Sequence, residues 1–149
     1  MRAITLWQPW ASLIALNLKR FETRSWGTKY RGPLMIHAAK RRLFEHEWQT
    51  VEEAIPVWCS ASVRMHAENT LGCVVAIGRL VNCLEIGEEL IEAVPNQEHS
   101  FGLWEQGRFA WAIDLVKPLT LPIPAVGAQR LWIPSDELIA AVDGRSDSG

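Results

Sequence analysis

Leu6-Trp7-Gln8-Pro9-Trp10-Ala11-Ser12-Leu13 and, a few residues on, Asn17-Leu18-Lys19-Arg20-Phe21-Glu22-Thr23-Arg24-Ser25-Trp26 are the most informative part of the chain. The residues leading in, Arg2 to Leu6, alternate in the manner of a half-buried first strand. Pro9 then suits the first turn of a helix, where its missing N–H is not needed. A short helix is predicted from about Trp10 to Asn17. Trp10, Leu13, Ile14 and Asn17 share one face of it, and Asn17 is able to take the left-handed conformation that ends helices. Lys19 to Ser25 alternates again, so a second strand is expected. Regular alternation places Lys19, Phe21 and Thr23 on one side of it and Arg20, Glu22 and Arg24 on the other.

Tyr30-Arg31-Gly32-Pro33 reads as a turn and Leu34 to Ala38 as a buried third strand. Phe44 to Ile55 has an apolar stripe of Phe44, Trp48, Val51 and Ala54/Ile55, the pattern of an amphipathic helix that Pro56 ends. Residues 57 to 69 are ambiguous and read as a second helical turn leading into a loop. Leu71 to Leu84 is apolar and β-branched with Gly78 inside it, which predicts one bent strand or two strands around a bulge. Pro95 to Gly107 reads as polar loop. Phe109 to Leu115 and Leu119 to Ile123 read as strands, and the prolines at 118, 122 and 124 are expected at sheet edges. A last short helix runs to about Val142, leaving 143–149 as a disordered polar tail. Many short strands, with helices inserted after the first and the third, predict a single domain over 1–142. Its class is α+β, a small mixed β-barrel with flanking helices.

With 149 residues, a chain buries about two-thirds of its unfolded surface and needs no metal or disulfide to fold. Cys59, Cys73 and Cys83 are odd in number and form no Cys-x-x-Cys pair. They are read as buried thiols; no metal and no cofactor is expected. The apolar stretches are too short to span a bilayer and the N-terminus does not read as a secretory signal, so a cytoplasmic location without membrane association is expected. A net charge of -2 argues against a wide basic face for nucleic acid. Nine of the 15 basic residues nevertheless fall between Arg2 and Arg42, while Glu45 to Glu53 and Glu85 to Glu98 are acidic. The N-terminal third is a local basic zone suited to a phosphate-bearing ligand. Most of the eight tryptophans are expected in the core.

Lys19, Glu22 and Arg24 fit a polar pocket in which the carboxylate accepts from a base amino group and the cations meet phosphate or carbonyl oxygens. The alternative is an ion-pair cluster, Glu22 with Arg24 or Arg31, that joins two strands, and the pocket is the preferred reading. Trp7, Trp10 and Trp26 bracket this cluster and offer stacking faces or core packing. Gln8, between a strand and a helix N-terminus, is placed either to read a hydrogen-bonding edge or to cap the helix. His37 and Lys40 lead into a basic turn, Lys40-Arg41-Arg42, suited to phosphate contacts. Ser12 reads as a small packing residue, and His46, His66 and His99 have no ligand spacing.

The two quoted motifs, together with Tyr30-Arg31-Gly32-Pro33-Leu34, Ile36-His37-Ala38-Ala39-Lys40, Leu71-Gly72-Cys73-Val74-Val75, Val81-Asn82-Cys83, Gly107-Arg108-Phe109-Ala110-Trp111 and Gly127-Ala128-Gln129-Arg130-Leu131-Trp132, resemble the ASCH domain, the homology domain of activating signal cointegrator 1. The resemblance extends from about Ala3 to Trp132. It implies a PUA-like barrel with a cleft beside the first helix, a loop over 127–132 closing on that cleft with Gln129 and Trp132 as candidate contacts, and a role in binding RNA or another nucleic acid. The family's usual Gly-x-Lys-x-x-Glu-x-Arg begins here with Asn17, a residue that tolerates positive φ.

Three functions compete. The first is a binding module for nucleic acid, RNA before DNA, or for a nucleotide. It uses Trp7, Gln8, Trp10, Lys19, Glu22, Arg24, Trp26, His37, Lys40 and Gln129. The second is a hydrolase. Small relatives with this fold are amidohydrolases acting on acetylated cytidine, but they resemble this motif with a nucleophilic Thr where Glu22 stands. Here Glu22 and Lys19 would have to serve as an acid/base pair, on a modified nucleoside or on RNA. The third is an interaction domain whose exposed tryptophans contact a protein partner.

Overall fold

Alternation in the first residues gives β1 (Arg2–Leu6), with Ala3, Ile4 and Leu6 buried. Pro9 precedes α1 (Trp10–Ala15), and Asn17 ends the segment at φ 62°. The computed structural model describes residues 1–147. The chain continues through β2 (Phe21–Arg24), β3 (Gly32–Ala38), α2 (Glu45–Ala54), α3 (Val57–Asn69), β4 (Cys73–Glu85), α4 (Glu88–Ala93), α5 (Asn96–Phe101), β5 (Phe109–Pro124), β6 (Leu131–Trp132) and α6 (Asp136–Asp147).

The six strands form one curled half-barrel sheet in the order β2-β5-β4-β3-β1-β6. β1 and β3 run parallel, with Ile4 opposite Ile36 and Thr5 opposite His37, and every other pair is antiparallel. One core lies between the sheet and α1, built from residues such as Ile4, Leu6, Ile14, Ile36 and Trp111. A second joins α1 to the helical layer through Leu13, Trp48, Val51, Val63 and Phe101. The α+β barrel-like class expected from the sequence is the one observed.

The sheet does not close. Its edges are β2 and the two-residue β6, which pairs only with Ala3 and Ile4. Two arginines bridge the open seam from opposite sides. Arg24 Nη2, on β2, donates to the Thr5 carbonyl at 3.1 Å. Arg130, just before β6, lays its guanidinium 4.1 Å over the Trp26 ring.

Several expectations change. Residues 57–69 are helical throughout, as α3. The 95–107 segment, expected as loop, contains α5, because Phe101 and Glu98 both have partners to bury against. Residues 109–124 form one strand, β5, and it is interior in strand order. Its prolines remain tolerable because β2 covers only Phe109 to Ala112, so among the described residues the part carrying Pro118, Pro122 and Pro124 has β4 as its one strand neighbour. β4 is a single strand with three register shifts against β5. The polar tail is helical to Asp147, and residues 148–149 lie outside the described residues. Trp58 is 84% exposed on α3, against the expectation of core. Of the cysteines, all free, only Cys59 is buried. Among the described residues no helix is long and apolar enough to cross a membrane, and no cluster of three or more His, Cys, Asp or Glu could hold a metal.

Candidate functional site

Gln8 has no exposed surface, and both ends of its amide are engaged. Its Oε1 accepts from the Ser12 N–H at 2.9 Å, capping α1, and its Nε2 donates to Thr70 Oγ1 at 2.8 Å. The capping reading therefore holds, and Gln8 is withdrawn from the ligand contacts because no donor or acceptor on it faces solvent.

Lys19 is corrected in the same way. It precedes β2, so strand alternation does not govern it, and its side chain turns inward with no exposed surface. The ammonium donates to the carbonyls of Phe21 and Phe101 and lies 3.6 Å from Glu22 Oε1. Burial pulls its pKa below the usual lysine range, while Glu22 and Glu98 pull it back up. A cation enclosed in this way supports the motif from beneath and is out of reach of a phosphate.

Glu22 and Arg24 do face a cleft. Glu22 keeps 13% of its side chain exposed and pairs with Arg24 Nη2 through Oε2 at 3.0 Å. Its Oε1 also accepts from the Thr23 N–H at 3.2 Å. Arg24 Nε is buried without an acceptor. The cleft encloses about 360 Å³, and Trp7, Trp10, Trp26 and Phe101 line it together with Glu22, Arg24 and Arg108. Trp7 is 54% exposed, with the Arg41 guanidinium 4.0 Å from its ring and the same guanidinium 3.9 Å from Phe44. Trp26 is half core, set edge-on to Trp111 at 4.7 Å with its carbonyl accepting from the Trp111 indole. The Thr23 hydroxyl is turned to the backbone, accepting from the Leu103 N–H at 3.0 Å.

His37, Lys40 and Gln129 lie elsewhere. They line an adjoining slot of about 380 Å³ with Ala39, Ala125, Val126 and Ala128, and Thr5 is common to slot and cleft. His37 is buried within a chain of hydrogen bonds: Trp132 Nε1 lies 3.0 Å from Thr5 Oγ1, Thr5 Oγ1 lies 3.1 Å from His37 Nδ1, and His37 Nε2 lies 2.8 Å from the Ala125 carbonyl. A carbonyl only accepts, so Nε2 carries a ring hydrogen, and in the neutral ring Nδ1 accepts from the Thr5 hydroxyl, which itself accepts from the Trp132 indole. Burial lowers the His37 pKa accordingly. His37 and Trp132 are anchors of the 125–129 segment. Gly127 completes the anchoring, since a Cβ there would come within 2.6 Å of Thr5 Oγ1.

A larger open groove of about 910 Å³ lies over α2 and the end of α3, away from both motifs. Its Arg64 is engaged by Glu45 and Glu68. Ser12 Oγ and His66 Nδ1 are 2.6 Å apart, but Ser12 is fully buried and serves packing. The sequence reading missed Thr5, Phe101, Arg108 and Glu98. Arg108 stands inside a stretch that carries the family resemblance, a signal that was available. Glu98 is a buried carboxylate accepting from the Arg20 and Phe21 N–H groups at 2.8 and 3.4 Å, and only tertiary contact reveals it.

The family model described as the ASCH domain matches residues 4–123. The chain belongs to the ASCH domain family. It is similar to activating signal cointegrator 1 of Homo sapiens, 31% identical over 129 residues, and to that of Mus musculus, 25% identical over 129 residues. Each match covers 87% of this chain and 21% of the relative, so this ASCH domain spans about a fifth of the curated relatives it matches.

Proposed function

We propose that this ASCH domain binds RNA, or a nucleotide, in the cleft of Glu22 and Arg24. The observation that carries the reading is the part-exposed Glu22–Arg24 pair at the floor of a tryptophan-walled cleft. A carboxylate accepts from base amino and imino groups, a guanidinium donates to base carbonyls, and an indole face stacks on any base. The buried Arg24 Nε, a donor that the protein leaves without an acceptor, adds to this support. The net charge of -2 fits a ligand held by few phosphates, which favours a splayed single strand over a long duplex. Membership of the ASCH family favours an RNA-related role.

Hydrolysis is the weaker reading. Lys19 is near Glu22 but engaged by two carbonyls and closed to solvent, so it has no path to a substrate proton. The test is anisotropy of a labelled short single-stranded RNA over a salt series, with DNA of the same sequence beside it. Affinity that falls with salt and with Glu22→Gln is the expected result. No binding of either strand at low salt overturns the reading, and a pull-down of a protein that survives nuclease would replace it.

A further inference from the structure

The slot beside the cleft has a chemistry of its own. Its walls are small and apolar, from Ala39, Ala125, Val126 and Ala128, where the cleft is polar and aromatic. Lys40 lines it and, among the described residues, makes no ion pair and no side-chain hydrogen bond. A cation left free beside an apolar slot suits an aromatic group joined to a phosphate. Slot and cleft, of about 380 and about 360 Å³, are each within the size range of a small-ligand site. They abut at Thr5, as successive bases of one strand do. The slot is also built in advance, because the Trp132–Thr5–His37–Ala125 chain and the close approach of Gly127 hold its outer wall.

We infer that this slot is a second nucleotide subsite, taking the base next to the one in the Glu22 cleft, with Lys40 on the phosphate between them. The inference rests on the cleft-binding reading above and deepens it: the recognised unit is a dinucleotide step of a single strand. Base-on-apolar contact fills the slot, and the Gln129 amide, which lines it and has no side-chain hydrogen bond among the described residues, meets the edge of that base.

Titration calorimetry with AMP, CMP, GMP and UMP, then with the dinucleotides that extend the tightest of them by one base on either side, tests it. One extending dinucleotide is expected to bind about tenfold tighter than its mononucleotide, the gain of one added stacked base. Lys40→Met is expected to remove most of that gain. Ala128→Trp, at an exposed position that lines the slot, is expected to bring the ratio of dinucleotide to mononucleotide affinity to about one. A ratio near one in the unmodified protein, or a gain that survives Ala128→Trp, overturns the second subsite and leaves the cleft reading in place. Binding by none of these probes overturns both.

Discussion

The Lys19 ammonium lies 3.6 Å from the Glu22 carboxylate, and only the glutamate reaches the cleft. The two residues divide the motif into a support and a contact. Removing a buried cation takes a donor from two carbonyls and leaves Glu22 with Arg24 as its remaining counter-charge, which costs about 3 kcal/mol or more. Lys19→Ala is therefore expected to lower stability by that amount in urea titration, where a purely ligand-facing lysine would change it by less than about 0.5 kcal/mol.

Gln8→Ala strips α1 of its cap and leaves the Thr70 hydroxyl without its donor. A loss of about 2 kcal/mol is expected. Calorimetry that found Gln8→Ala as stable as the parent would show that the amide is not the cap described.

Glu98 holds the start of β2 to α5 by two backbone N–H groups. Glu98→Ala should cost about 2 kcal/mol, and Glu98→Gln less, since an amide oxygen still accepts. Equal losses in the two variants would point to charge, through Lys19, as the larger effect.

Trp7→Ala separates binding from folding. The ring is more than half exposed, so unfolding should shift by about 1 kcal/mol or less, mostly the lost contact with Arg41. Affinity for a short RNA should fall by about 2 kcal/mol if Trp7 stacks on a base. An unchanged affinity would move the stacking role to Trp10 or Trp26.

Acid should loosen the 125–129 segment. The folded-state pKa of His37 lies below its ordinary value near 6.5. The neutral ring thus contributes stability that is fully present above about pH 6.5 and is lost as pH falls through the lower folded value. Amide exchange in 125–129 is expected to speed up between about pH 7 and about pH 5 beyond the ordinary chemical rate, and a His37 ring titrating at its normal value would contradict this.

Local chemistry made much of this readable in advance. Pro9 and Asn17 bracket α1 because one tolerates only the first turn and the other a left-handed end. Glu22, Arg24, Trp7, Trp10 and Trp26 do share one cleft. What stayed hidden depends on partners distant in the chain. Lys19 stands outside the alternating strand, so its direction follows from carbonyls at 21 and 101. Glu98 stood within an acidic stretch and a segment that read as polar loop, and nothing local says that two N–H groups of the β2 start await it. The prolines of β5 read correctly as edge residues, but the strand they belong to is interior for only its first four residues.

The open seam of the sheet has one more consequence. A barrel closed by a main-chain ladder has a fixed circumference, whereas here two guanidinium tethers, Arg24 to Thr5 and Arg130 on Trp26, span the gap. Side-chain torsions turn at far lower cost than a ladder is broken. Among the described residues, the girth of this half-barrel is therefore set along the seam by side-chain torsions, and that seam passes through the cleft.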